Sequence, residues 1–208
     1  MTRQYKPLNR CQKCQMLLNY CLCLEAQECK KEIQHIQSSV HVIMHHRERF
    51  LTTNTARLAK LCLPHCDIHL RGMIDQEVPL EKILSEAKNP LLLYPSEKAD
   101  ILTSEYLAKI KRPITLIVPD GSWRQASKVS KREKLLENVP HVKVSKGSQS
   151  QYKLRREPKF SGLATFEAIA LAIGAIEGLE IQAKLETVFL KMVERTLKSR
   201  GMNDIINS

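Results

Sequence analysis

Two short apolar runs constrain this chain most: "PLLLYP" (90–95), closed by proline, and "ITLIVPD" (114–120). Each reads as a buried strand. Around them, strand and helix signals alternate. The β-rich "VHVIMH" (40–45) precedes "TTNTARLAKLCL" (52–63), whose Thr and Asn can cap a helix carrying Leu58, Leu61 and Cys62 on one side. A short strand, "DIHL" (67–70), is followed by the helical "LEKILSEAK" (80–88). "ADILTSEYLAKI" (99–110) reads as helical, "SWRQASKVSKREKLLEN" (122–138) as an amphipathic helix and "HVKVS" (141–145) as a strand. Two helices, 165–179 and 182–200, complete the pattern. Such alternation predicts an α/β fold, a mostly parallel sheet flanked by helices. Ligand-binding loops in such sheets follow the carboxyl ends of strands. Here those loops are "HHRER", "YPSEK" and "PDGSW".

Residues 1–38 have a different texture, polar and rich in cysteine, and are expected to form a small module with a charged connector, "CKKEIQHIQSS". Residues 39–208 then form the α/β domain. Five of the seven cysteines fall between Cys11 and Cys29. Cys11, Cys14, Cys21 and Cys23 are spaced C-x2-C-x6-C-x-C, two close thiol pairs of the kind that gives zinc its tetrahedron. In so small a module the metal supplies the folding energy. A redox CxxC is the alternative, but such a pair sits at a helix start within an α/β unit, and this one precedes every strand signal. Cys29 is a spare that could replace one ligand. Cys62 and Cys66 flank "LPH", a second metal site or simply buried thiols.

Lys and Arg outnumber Asp and Glu by 33 to 22, a formal charge of +11. The excess suggests a polyanionic partner, with solubility as the plain alternative. No apolar run approaches the roughly 20 residues of a membrane span, and "MTRQYKPLNRCQKC" lacks a secretory apolar segment. A cytoplasmic protein without membrane attachment is expected, either monomer or homodimer.

"VPDGSWRQASK" (118–128) carries the only tryptophan, beside an acid, where a strand becomes a helix. The peptide resembles the D-x-[TS]-W signature of the DTW-domain family. "IMHHRERFLTTNTARL", "LLLYPSE", "YKLRREP", "LATFEAIAL" and the N-terminal cysteines follow that family's motif order across nearly the whole chain. The similarity is greatest to its bacterial tRNA-uridine aminocarboxypropyltransferase branch. Ser122 stands where Thr is usual, and Ala164 where a small residue or Cys is usual.

The resemblance implies S-adenosylmethionine as cofactor, tRNA as partner, and transfer of the 3-amino-3-carboxypropyl group to N3 of a uridine, releasing methylthioadenosine. It also implies kinship with the knotted SPOUT methyltransferases, hence a SPOUT-like fold with a C-terminal trefoil knot. Methyl transfer, an rRNA target, and a non-catalytic zinc-containing RNA-binding protein are the alternatives. Asp120 is the candidate base for the N3 proton, or else a helix N-cap. Trp123 can pack on the core, stack on a base or wall the cofactor; Ser122 completes the candidate catalytic set. Tyr94, Pro95, Ser96, Asp120, Gly121, Thr165 and Glu167 are the expected cofactor residues, although Thr165 is equally placed to cap a helix. Arg155 and Arg156 suit phosphate or carboxylate. With Arg124 and Lys128 they are the expected RNA contacts, in a basic belt with Lys131, Arg132, Lys134, Lys143, Lys146, Lys153 and Lys159. His45 and His46 can position RNA or serve structure.

Overall fold

Within Thr115–Asp120 successive side chains turn to opposite layers, and every one of them is buried. Leu116 and Val118 join one apolar cluster and Ile117 the other. The computed structural model describes residues 9–74, 77–145, 150–152 and 162–202. In chain order these give α1 (Cys23–Glu32), β1 (Ser39–His45), α2 (Ala56–Cys62), β2 (Cys66–Arg71), α3 (Leu80–Glu86), β3 (Pro90–Leu93), β4 (Asp100–Ile101), α4 (Ser104–Ala108), β5 (Thr115–Asp120), α5 (Trp123–Arg132), β6 (His141–Lys143), α6 (Thr165–Glu177) and α7 (Leu179–Ser199). The six strands lie in the order β2-β1-β5-β3-β6-β4. All five pairings are parallel.

The sheet separates two apolar layers. Val40, Val42 and Met44 of β1, with Leu91 and Leu93 of β3, pack with α1, α2, α6 and α7. Ile43 and Leu92 turn the other way, toward Leu80 and Ile83 of α3 and Val129 of α5. This two-sided cover is why the central strands read as unbroken apolar runs. Helix α6 is enclosed almost all round, with Phe166, Ile169, Ala170, Ala172 and Ile173 fully buried. No helix among the described residues is long and apolar enough to cross a membrane.

Most expected elements appear within a few residues of their expected bounds. Three differ. "ADILTSEYLAKI" is not one helix: Asp100 and Ile101 pair with Val142 and Lys143 as an edge strand, and Thr103 then caps α4 by accepting from the Tyr106 amide at 3.1 Å. The amphipathic helix after β5 stops at Arg132, and a 3-10 turn, Lys134–Leu136, follows. Helix α2 has no side-chain cap; Thr55 Oγ1 instead accepts from the Phe166 amide of α6 at 3.2 Å. The charged connector starts in the last turn of helix α1, and Leu22, Ala26, Cys29, Ile33 and Ile36 along this stretch belong to the main core. The implied trefoil knot depends on the path through residues 146–149 and 153–161, outside the described residues.

The parallel sheet brings the carboxyl ends of β1, β5 and β3 to one edge, with Met44 beside Asp120. The turn out of β5 is tight. Gly121 adopts a φ of 144°, and a Cβ there would lie 2.8 Å from Gln125 Oε1, the oxygen that accepts from the Ser122 amide. Gly121→Ala therefore both strains the backbone and pushes on the helix cap. It is expected to cost about 1–3 kcal/mol, read as a lowered urea midpoint. An unchanged midpoint would mean that neither the turn nor the cap is under this constraint.

Candidate functional site

Asp120 ends the central strand with its carboxyl buried, 5% exposed. Its Oδ1 accepts from Thr165 Oγ1 at 2.6 Å and its Oδ2 from Asn54 Nδ2 at 2.7 Å. Thr165 opens α6 and Asn54 lies in the loop before α2, so three remote segments meet on one carboxyl group. Burial pushes its pKa above the ordinary carboxylate value, against the opposing pull of Thr165, Asn54 and the Gly121 amide. Asp120 is not the cap of α5. Ser122 holds that place, accepting from the Gln125 amide at 3.4 Å while Gln125 Oε1 accepts from the Ser122 amide at 2.7 Å, a complete capping box.

Trp123 opens α5 and is 46% exposed, so it is no core anchor. Its ring stands 6.5 Å from that of Tyr94, inclined by 59°. The two rings come from adjacent strand ends and form an aromatic corner at the sheet edge. Pro95 is exposed and Ser96 half-buried. Ser96 Oγ lies 2.7 Å from His141 Nδ1, and His141 is itself buried. Burial, and then the Lys98 charge, hold this imidazole's pKa low and favour its neutral form.

Glu167 is occupied differently from expectation. Its carboxylate accepts from Ser150 Oγ, the Gln151 amide and the Ala164 amide, each at 2.7 Å. It thus pins the incoming chain to the start of α6. Tyr152 OH donates to the Thr53 carbonyl at 2.7 Å, tying the same chain to the loop before α2.

The loop after β1, where His45 and His46 were expected to position RNA or serve structure, adds further groups. Glu48 has its pKa raised by burial and then by the Asp120 charge. Among the described residues no Lys or Arg pairs with either carboxyl. His45 and His46 face each other with ring centroids 4.7 Å apart and planes tilted by 35°, and the Arg47 amide donates to His45 Nδ1 at 3.3 Å. Asn54 was assigned to a helix cap, a local role consistent with its sequence position. Only contact with Asp120, 66 residues away, shows otherwise. His141 carried no signal beyond its place at a strand start.

Of the expected RNA contacts, Arg124 is exposed and Lys128 half-buried on α5, and Lys131 and Arg132 are exposed near its end. Arg155, Arg156, Lys146, Lys153 and Lys159 lie outside the described residues.

The four N-terminal cysteines converge. Their sulfurs all lie within 4.8 Å of one another, with Cys11 and Cys23 at 3.5 Å and Cys14 and Cys21 at 3.8 Å. Tetrahedral bonds of 2.3 Å would place sulfurs about 3.8 Å apart, so the cluster could hold a metal ion. Burial works to raise the Cys11 thiol, but the Cys14 and Lys13 amides and neighbouring thiols bring it down to about 6. Burial and then its hydrogen bond with Cys11 push Cys23 up. Cys29 stands apart: it is a buried free thiol, hydrogen-bonded to Cys62. Arg195 of α7 donates to the Cys21 carbonyl and pairs with Glu25, fastening this corner to the C-terminal helix.

The family model of the DTW domain matches residues 8–197. The chain belongs to the DTW-domain family. Curated relatives include the tRNA-uridine aminocarboxypropyltransferase 2 of Macaca fascicularis, 28% identical over 172 residues that cover 80% of this chain and 56% of that protein. The Drosophila melanogaster protein of the same name is 26% identical over 174 residues, 81% of this chain and 67% of its own length. The chain spans a little over half the length of the macaque relative. No solved structure matches. The DTW-domain match begins before the cysteine cluster and so takes in the cluster, the Asp120 turn and both C-terminal helices.

Purified without chelator, this DTW-domain protein is expected to carry about one equivalent of tightly held metal. Cys14→Ser should release it, as measured by elemental analysis. Wild-type protein found metal-free would remove the assignment.

Proposed function

We propose that this DTW-domain protein is a tRNA-uridine aminocarboxypropyltransferase, moving the 3-amino-3-carboxypropyl group of S-adenosylmethionine to N3 of a tRNA uridine. The observation that carries the reading is the buried Asp120, without a Lys or Arg partner among the described residues, beside an exposed Trp123 at the carboxyl edge of a parallel sheet. The relatives' names support the reaction class. The four-cysteine corner is a structural zinc site in this reading.

Uridine N3 carries a proton that must leave before the nitrogen can attack. An ordinary Asp titrates near about 3.9 and is a weak base at neutral pH. Burial raises the Asp120 pKa, which brings its strength closer to what the task needs. Thr165, Asn54 and the Gly121 amide take three of the carboxylate's about four acceptor positions, so capacity for the N3 proton is left. When bound, S-adenosylmethionine supplies a carbon next to sulfur whose C–S bond breaks with the electron pair going to sulfur, so methylthioadenosine leaves neutral. Tyr94 and Trp123 give an exposed aromatic corner on which an extruded base can stack. Ser96, fixed by His141, and the amides after β3 suit the cofactor's adenosine. Arg124 and Lys128, with Arg155 and Arg156, serve the tRNA backbone.

The decisive experiment mixes the protein, labelled S-adenosylmethionine and tRNA lacking the modification. Methylthioadenosine is the expected small product. S-adenosylhomocysteine would make the reaction a methylation and overturn the reading.

Asp120→Asn keeps the shape and removes the base, and turnover is expected to fall about 10²–10⁴-fold. The pH dependence follows in sign. The base acts ionised, so the wild-type rate should rise as pH climbs through the raised Asp120 pKa, and the variant should lose that limb. Stability runs the opposite way: a carboxyl with a raised native pKa stabilises the fold while neutral, and that contribution is lost as pH rises through the native value. The variant should therefore be no less heat-stable than wild type at neutral pH. A near wild-type rate in the variant would reduce Asp120 to a structural tie.

With a net charge of +11, tRNA affinity should fall steeply as salt rises. Arg155→Ala or Arg156→Ala should weaken RNA binding more than cofactor binding, measured side by side. Salt-independent affinity would leave the charge without this role.

A further inference from the structure

Six buried side-chain nitrogen and oxygen atoms find no partner among the described residues. Three of them, His46 Nδ1, Arg49 Nε and Asn54 Oδ1, fall within nine residues after β1. Buried polar groups are normally satisfied. Their concentration at the carboxyl edge of the sheet marks hydrogen-bonding capacity that the described residues leave unmet.

Asn54 is the one whose chemistry the surroundings fix. Its amide nitrogen stands 2.7 Å from Asp120 Oδ2, and an ionised carboxylate only accepts. The other amide atom is then oxygen, an acceptor with no donor. Turning the amide over would set two oxygens against each other. Asp120 is in turn held by Thr165 Oγ1 at 2.6 Å, so the orientation is fixed from behind. Glu48 lies within the electrostatic reach of Asp120, and neither carboxyl has a Lys or Arg partner among the described residues. Arg49 Nε is itself a donor, but the acceptor Asn54 Oδ1, beside two acids with no Lys or Arg partner among the described residues, favours a ligand group that brings N–H donors and positive charge.

We propose that Asn54 Oδ1 receives the α-ammonium group of S-adenosylmethionine, with Asp120 as the residue that orients the Asn54 amide. The proposal rests on the reading of this edge of the sheet as the S-adenosylmethionine site. It gives the transferred group one orientation, because the acids that welcome the ammonium repel the cofactor's own carboxylate. It also separates donor from product: methylthioadenosine has lost the ammonium and makes no use of Asn54.

The test is calorimetric binding of S-adenosylmethionine and of methylthioadenosine, each to wild-type protein and to Asn54→Ala. A hydrogen bond to a charged group predicts about 10-fold or greater loss of S-adenosylmethionine affinity. Methylthioadenosine affinity should stay within about two-fold, which also reports that the variant's site is folded. Wild-type protein alone gives a second measurement, since a donor analogue lacking the α-amino group should bind about 10-fold or more weakly. Equal losses for both compounds in Asn54→Ala, or an analogue that binds as well as S-adenosylmethionine, would sink Asn54's role while leaving the cofactor reading in place. Wild-type protein that binds neither compound would overturn both.

Discussion

A carboxyl group that is nearly sealed from water survives in a fold only if its oxygens find donors. For Asp120 the donors come from Thr165 and Asn54, 45 and 66 residues away in the chain. Those two bonds set the end of β5, the start of α6 and the loop before α2 against one another. The neighbouring bonds repeat the theme: Thr55 takes the Phe166 amide, Tyr152 the Thr53 carbonyl, and Glu167 the incoming chain. The loop at 53–55 thus spends its polar groups on distant segments and not on capping its own helix. Apolar burial holds the layers together, but this polar lattice decides how their ends are aligned, and the aligned ends form the site.

The strands were legible because a strand covered on both faces has to be apolar throughout, and Leu91–Leu93 and Leu116–Val118 are. The helices of the C-terminal pair were equally plain from their length. What misled was short and local. "ADIL" carries the same residue types as the helix that follows it, and only pairing with β6 makes it a strand. In the site, Asp120, Trp123 and Thr165 stood out through their motif, whereas Asn54, Glu48 and His141 did not. Each of these matters through a partner far away in sequence, and an Asn ahead of a helix has a sufficient local explanation. Glu167 shows the converse: its position suggested a ligand contact, yet backbone amides and Ser150 already fill its oxygens.

The cysteine corner illustrates how a small polar segment can be held by a larger domain. Its four sulfurs converge without a hydrophobic centre of their own. The helix that starts at Cys23 turns Leu22, Ala26 and Cys29 into the main core. Arg195 reaches Cys21 and Glu25 from α7, and Lys184 pairs with Glu32 at 3.2 Å. A bound metal would fix the sulfur end of this segment and the core would fix the other. The two anchors constrain α1 in series, so disturbance of the thiols should be felt first by the residues ahead of Leu22.

The turn after β5 joins two features that stability alone does not favour. A buried acid without a cation costs free energy at neutral pH, and an exposed tryptophan leaves apolar area in water. Neither is needed where it stands. Helix α5 is capped by Ser122 and Gln125, so Asp120 is free of that duty, and the core beneath is filled by Val129, Ile117 and Leu136 without Trp123. Gly121 provides the tight turn that keeps Asp120 inward while Trp123 faces out. Departures from folding preference that cluster on adjacent residues, with their local structural tasks already done by others, are what a reacting site produces. In the proposed transfer the Asp and the Trp are neighbours because one must be dry enough to take a proton and the other open enough to meet the base that gives it.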